Sequence, residues 1–216
     1  MASSRTRIST LEKVSAKGNV GAVGVRLMMA LNDMSLANDS LTQWHTEQPR
    51  NRRGRQTGAK MYFLRVLISH TFEALEIIKE IRDTPELAKA VEQCDAQTQT
   101  SFAAVVNAIG ADEYNRMRRI RNNISFHYGR RIVEQGLEEI ATEHPDVPVA
   151  MTLGSEAILW HFEPADLVVD RIVCRKILDI PKDADLSKEV GMMVDRIQQI
   201  GEQLAGFAGH FIRHHF

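Results

Sequence analysis

Cysteine is scarce in this chain: Cys94 and Cys174 are its only two among 216 residues. Their separation has no metal-type spacing, so neither a disulfide framework nor a zinc knuckle is indicated. Long apolar runs are missing too, none approaching the roughly 18 to 20 residues needed to cross a bilayer. The opening Met1-Ala2-Ser3-Ser4-Arg5-Thr6-Arg7 lacks the apolar stretch of a secretory signal. Net charge is almost absent at a formal -1, so any strong field must be local. No internal repeat and no low-complexity tract interrupts the chain. What remains is an ordinary globular composition, 44% apolar and 25% charged, long enough for one core or a core with an appendage. A soluble, cytoplasmic protein without membrane contact is the expectation.

Helical periodicity dominates. Val20, Val23, Leu27, Ala30, Met34, Ala37, Leu41 and Trp44 alternate steps of three and four, the signature of a one-sided helix. Val190, Met193, Ile197, Ile200, Leu204, Phe207 and Phe211 repeat it near the C-terminus. A third stripe runs through Leu64, Leu67, Ile68, Leu75, Ile78 and Ile81, and a fourth through Leu87, Val91, Cys94, Phe102 and Val105. Pro85 suits a first helical turn, with Thr84 as its cap, and Pro164 opens a helix holding Val169, Ile172, Val173 and Ile177. Two segments break the pattern. Residues 49–58 form a loop with four arginines, and residues 149–153 and 157–162, around Gly154-Ser155, suit a short β-hairpin. The expected fold is all-α: an antiparallel bundle of four to six helices with a small hairpin insertion near 147–162. An N-terminal tail over 1–18 precedes a single domain over 19–216, with a C-terminal helical extension at about 164–214.

Charge is concentrated in one place. Residues 114–131 hold six arginines and no acidic residue, on a predicted helix over about 110–141 that turns acidic from Glu134 onward. At about 100° per residue, Met117, Ile120, Ile124 and Tyr128 fall within roughly 80° of one another and form its buried stripe. Arg116, Arg119, Asn123, His127 and Arg130 line one side of that stripe, and Arg121 sits on its other edge. Arg121 and His127 therefore straddle the packing face, about 120° apart in an ideal helix. An arginine beside an apolar stripe needs a carboxylate, a carbonyl or a ligand phosphate, because its charge is never lost. Histidine is the side chain whose ordinary pKa lies near neutrality, suited to moving protons beside a phosphate. A guanidinium suits phosphate oxygens as charge develops on them.

Arg121-Asn122 followed by His127 resembles the Arg-x(4–6)-His signature of the HEPN superfamily. The wider string Ile120-Arg121-Asn122-Asn123 through Phe126-His127-Tyr128 is similar to its abortive-infection branch. The resemblance, covering about residues 20–140, implies an all-α bundle with the motif on a late helix, a homodimer joining two motifs in one cleft, and metal-independent RNA cleavage. It implies Arg121 and His127 as the catalytic pair and Asn122 as their supporting polar residue. It further implies a phage-defence or toxin effector with a cognate antitoxin or defence partner. The hairpin and the C-terminal helices lie outside the signature, and some members of the superfamily keep the fold without nuclease activity. The competing reading is therefore a non-catalytic helical module that binds RNA, a nucleotide or a partner protein.

Arg116, Arg119, Asn123 and Arg130 are the expected RNA contacts beside the motif, joined by Arg50, Arg52, Arg53 and Arg55 of the loop, because flexible cations neutralise phosphates without strict geometry. His210, His214 and His215 include a metal-type i,i+4 pair, yet no carboxylate or cysteine accompanies them in the sequence. No metal or other cofactor is expected. His161, between Trp160 and Phe162, reads as structural, and Met28, Met29, Met192 and Met193 as core filler or interface.

Overall fold

The two stripes at the ends of the chain become its two longest helices. In a computed structural model, which describes residues 9–46, 56–156 and 161–216, α1 (Leu11–Ser15) is a single turn capped by Thr10. It is followed by α2 (Gly18–Thr46), and α9 (Leu186–His215) closes the chain. Val23, Leu27, Ala30, Met34 and Ala37 of α2 are buried, as are Met193, Ile197, Ile200, Leu204, Phe207 and Phe211 of α9. Between them lie α3 (Gln56–Asp83), α4 (Pro85–Glu92), α5 (Ala96–Ile109), α6 (Asp112–Ile120), α7 (Arg130–Glu143) and α8 (Glu163–Arg171). The fold is all-α with one small antiparallel hairpin, β1 (Met151–Thr152) paired to β2 (His161–Phe162) with Met151 opposite Phe162.

The chain forms two compact units. Unit one joins Met1–Asn32, Glu73–Gly110 and Gln199–Phe216; unit two joins Asp33–Phe72 and Ala111–Gln198. In unit one, Leu75, Ile78, Ile81, Leu87 and Val105 are buried, and Phe102, Phe207 and Phe211 form a run of rings with centroids 5.0 and 5.5 Å apart. Pro85 occupies the first turn of α4 as expected; Thr84 is at the cap position, without a side-chain hydrogen bond. Asp95 caps α5 properly, its carboxylate accepting from the Thr98 amide and hydroxyl at 2.7 Å each.

Unit two holds the motif. Its core contains Ile68, Met117, Ile120, Ile124, Ile172, Val173 and Ile177. Helix α7 lies close on α8 and the turn after it because Gly136 is buried there. A β-carbon at that position would stand 3.0 Å from Ile172 Cγ1 and 3.4 Å from Val168 Cγ1. The helix opened by Pro164 ends at Arg171 and continues as a π-turn over Ile172–Ile177.

By length and apolar content α2 does meet the requirement for a membrane span over Gly18–Trp44. Its use is that of a core helix: one face is buried, Arg26 pairs with Glu80 at 2.7 Å, and Asp33 lies 3.6 Å from His70.

Candidate functional site

The helix expected over 110–141 is two helices. α6 stops at Ile120, a π-turn spans Arg121–Ser125, and α7 begins only at Arg130. The local sequence explains the break. Asparagine and serine are poor in helix interiors because their side chains compete for backbone groups. Here Asn123 Nδ2 donates to the Arg119 carbonyl at 2.7 Å, and Ser125 Oγ lies 3.2 Å from the Ile120 carbonyl. The chain then leaves the helix, and the Gly129 amide closes back on the Asn123 carbonyl at 3.4 Å.

Leaving a helix orphans carbonyls, and a buried carbonyl without a donor is costly. Arg65 of α3 supplies the donor. Only 6% exposed, it sends Nη1 to the Ile124 carbonyl and Nε to the Met61 carbonyl of its own helix at 3.1 Å. Its own carbonyl accepts from Ser69 Oγ at 2.8 Å and lies 3.3 Å from Ser125 Oγ. Burial pulls this guanidinium below its usual range, while Tyr128, Tyr62 and Asp166 act in the opposite direction; it remains charged throughout the ordinary pH range. Sequence reading missed Arg65. Its signal was present: a lone cation inside Leu64-Arg65-Val66-Leu67-Ile68.

Met117, Ile120 and Ile124 are fully buried, as their spacing predicts. Tyr128, assigned to the same stripe, is 71% exposed, and Phe126 is 55% exposed. The π-turn has carried both off the helical lattice, and His127 between them is also exposed. Arg121, at the head of the π-turn, is half-buried, and its Nη1 donates to Asn122 Oδ1 at 3.1 Å. Arg121 and His127 thus do not share a helix; they stand at the two ends of one short, anchored excursion.

The other arginines divide. Arg119 is exposed but engaged within the chain: it donates to the carbonyls of Lys176 and Ile177 and pairs with Asp179 at 3.1 Å. It thereby satisfies the last carbonyls of the second π-turn. Arg130 forms an i,i+4 pair with Glu134 at 2.7 Å but is almost wholly exposed. Arg116 lies 4.0 Å from Glu113, which Arg196 holds at 2.8 Å. Burial works to raise the Glu113 carboxyl; its backbone amide, Arg196 and Arg116 outweigh that and hold it below the usual carboxylate range. Arg118 and Arg131 are exposed. Arg50, Arg52, Arg53 and Arg55 lie outside the described residues.

His161 has a structural partner, with Nε2 3.0 Å from Asp166 Oδ2. The Asp166 carboxylate in turn occupies the space where a β-carbon on Gly58 would stand, which explains glycine in the first turn of α3. His70 has its ring 6.4 Å from Phe126, edge to face. The C-terminal histidines, companionless in the sequence, have Cys94 beside them in the fold. No family model, no curated protein and no solved structure matches this chain.

Proposed function

We propose that unit two is a metal-independent RNA-cleaving module of HEPN type, with Arg121 and His127 as its catalytic pair. The observation that carries this reading is the exposed Phe126-His127-Tyr128 triple, set out by a π-turn whose base is buried through Ile124 and held by Arg65. Single-turn π-segments recur at functional sites because they present side chains a regular helix would turn inward. Exposed aromatic rings on either side of a histidine offer stacking faces for unpaired bases. His127 moves the 2′-hydroxyl proton or protonates the leaving oxygen. Arg121, oriented by Asn122, stabilises charge on the phosphate, and attack of the 2′-oxygen with loss of the 5′-oxygen leaves a 2′,3′-cyclic phosphate. The active species is a twofold homodimer that brings two motifs together. It acts on cytoplasmic RNA as a growth-arresting defence or toxin effector under control of an antitoxin or defence partner.

The test is cleavage of single-stranded or loop RNA in the presence of chelator. His127→Ala and Arg121→Ala should each lose about two orders of magnitude or more in rate, within the 10²–10⁴-fold typical of acid–base catalysis. His127→Ala should retain most of its RNA affinity, and Arg130→Ala should weaken binding more than turnover. Expression of the native chain, but not of His127→Ala, should arrest growth. The Arg121 guanidinium donates to Asn122 within the motif itself, which favours a second reading, a non-catalytic module that binds RNA, a nucleotide or a partner protein. Native protein that binds an RNA panel and leaves every member intact would establish that reading instead.

A further inference from the structure

Cys94 and the last turn of α9 are 121 residues apart in sequence and adjacent in unit one. Cys94 Sγ lies 3.6 Å from His215 Nε2. One ring nitrogen of His214 joins them, and the three donor atoms all lie within 4.8 Å of one another. The His214 and His215 rings meet edge to face at 4.8 Å, and Phe211 backs His215 with its centroid at 4.5 Å. A tetrahedral zinc ion, with Zn–S of about 2.3 Å and Zn–N of about 2.0–2.1 Å, holds its sulfur and nitrogen about 3.6 Å apart. We propose that Cys94, His214 and His215 form a zinc site supplying three corners of a tetrahedron and leaving the fourth for water or a small anionic ligand. One thiolate and two imidazoles are a donor set suited to zinc rather than to magnesium or calcium.

Without metal the same atoms converge on one carbonyl. Cys94 Sγ donates to Ala90 O at 3.4 Å, and His215 Nε2 lies 3.2 Å from that oxygen. Metal binding gives the thiol proton to solvent. It also moves the His215 N–H to Nδ1, so that the Nε2 lone pair faces the ion. One proton is released per ion bound, so affinity weakens as the pH is lowered wherever the thiol is protonated in the free protein. Burial, then Asp95, raises the Cys94 thiol. Burial, then His214, lowers His215, with Lys17 acting in the same direction and the Ala90 carbonyl against it. His210 and Arg213 face Asp95. Cys174 belongs to unit two, where burial, then Asp170, pushes its thiol up to about 12.

The experiment is titration of the purified, metal-stripped full chain with cobalt(II) as a zinc surrogate, followed by zinc competition. Expected are one equivalent of cobalt, a sulfur-to-cobalt charge-transfer band and the strong visible bands of four-coordination. Cys94→Ala should abolish the charge-transfer band, and the exposed-site variant His214→Ala should weaken binding tenfold or more. Cys174→Ala should leave the spectrum unchanged, with folding of each variant checked by circular dichroism. Zinc at a hundredfold excess over its Kd should raise the melting temperature of the native chain by roughly 5–10 °C, and that of Cys94→Ala by much less. Absence of the charge-transfer band in native protein, or its survival in folded Cys94→Ala, overturns the site. The outcome is separable from the cleavage reading, since the zinc-stripped protein is the form expected to cut RNA in chelator.

Discussion

Arg65 is an enclosed cation whose donors face carbonyls rather than a carboxylate. Arg65→Met keeps most of the apolar stem and removes the donors, stranding the Ile124 carbonyl. The expected cost is about 1–3 kcal/mol in urea unfolding, with RNA cleavage falling further than stability as the excursion over 121–129 loses its anchor. Arg65→Lys should recover little, because a single ammonium cannot reproduce the fork that spans the Met61 and Ile124 carbonyls. An Arg65→Met protein as stable and active as the native chain would remove this role from Arg65. At this scale the motif was legible and its support was not. Arg121 stood out because a cation at the rim of an apolar stripe demands a partner, and the same reasoning applies with more force to Arg65. The Arg65 partner, however, is a backbone carbonyl 59 residues downstream, which side-chain chemistry cannot reveal in a sequence. The C-terminal histidines were noticed without their companion, because Cys94 stands 121 residues from His215 in the sequence and 3.6 Å from it in the fold.

Among the elements, the long stripes were legible because each of α2, α3 and α9 keeps one period throughout its buried face. The motif segment was not, because a helical wheel assumes 3.6 residues per turn and the π-turn inserts an extra residue. The chain then leaves the helix between Ser125 and Arg130, and so Tyr128 emerges where an inward side chain was expected. Arg119 shows the same limit from the other direction. Its place on the polar stripe suggested phosphate, and the second π-turn, invisible to periodicity, claims it as a donor. The packing of α7 on α8 makes a sharper demand. At Gly136 an alanine meets neighbours at 3.0 and 3.4 Å, so its better helix propensity and its crowding oppose each other. Gly136→Val adds bulk the site has no room for and should destabilise by about 2–3 kcal/mol, within the range for overpacked cores. Thermal melts of the two variants beside native protein test this; a Gly136→Val protein of native stability would show that α7 and α8 can separate at little cost.

For the whole molecule, the all-α class and the hairpin near 147–162 follow from periodicity and turn residues, and both are present. The division into two units does not follow from any composition shift, since three of its four boundaries, at 32/33, 72/73 and 198/199, fall inside α2, α3 and α9, and the fourth, at 110/111, lies between α5 and α6. Assembly is the remaining expectation at this scale. Light scattering at micromolar concentration should give twice the mass of one chain, and a monomeric mass would remove the paired-motif cleft from the proposed mechanism. The interleaving of segments also dictates timing. Unit one draws on residues 1–32, 73–110 and 199–216, and Leu204, Phe207 and Phe211 of its core come from the last of these. During synthesis its earlier segments therefore lack part of their core until α9 has left the ribosome. A translating chain of this protein is thus open to chaperones and proteases until α9 has emerged.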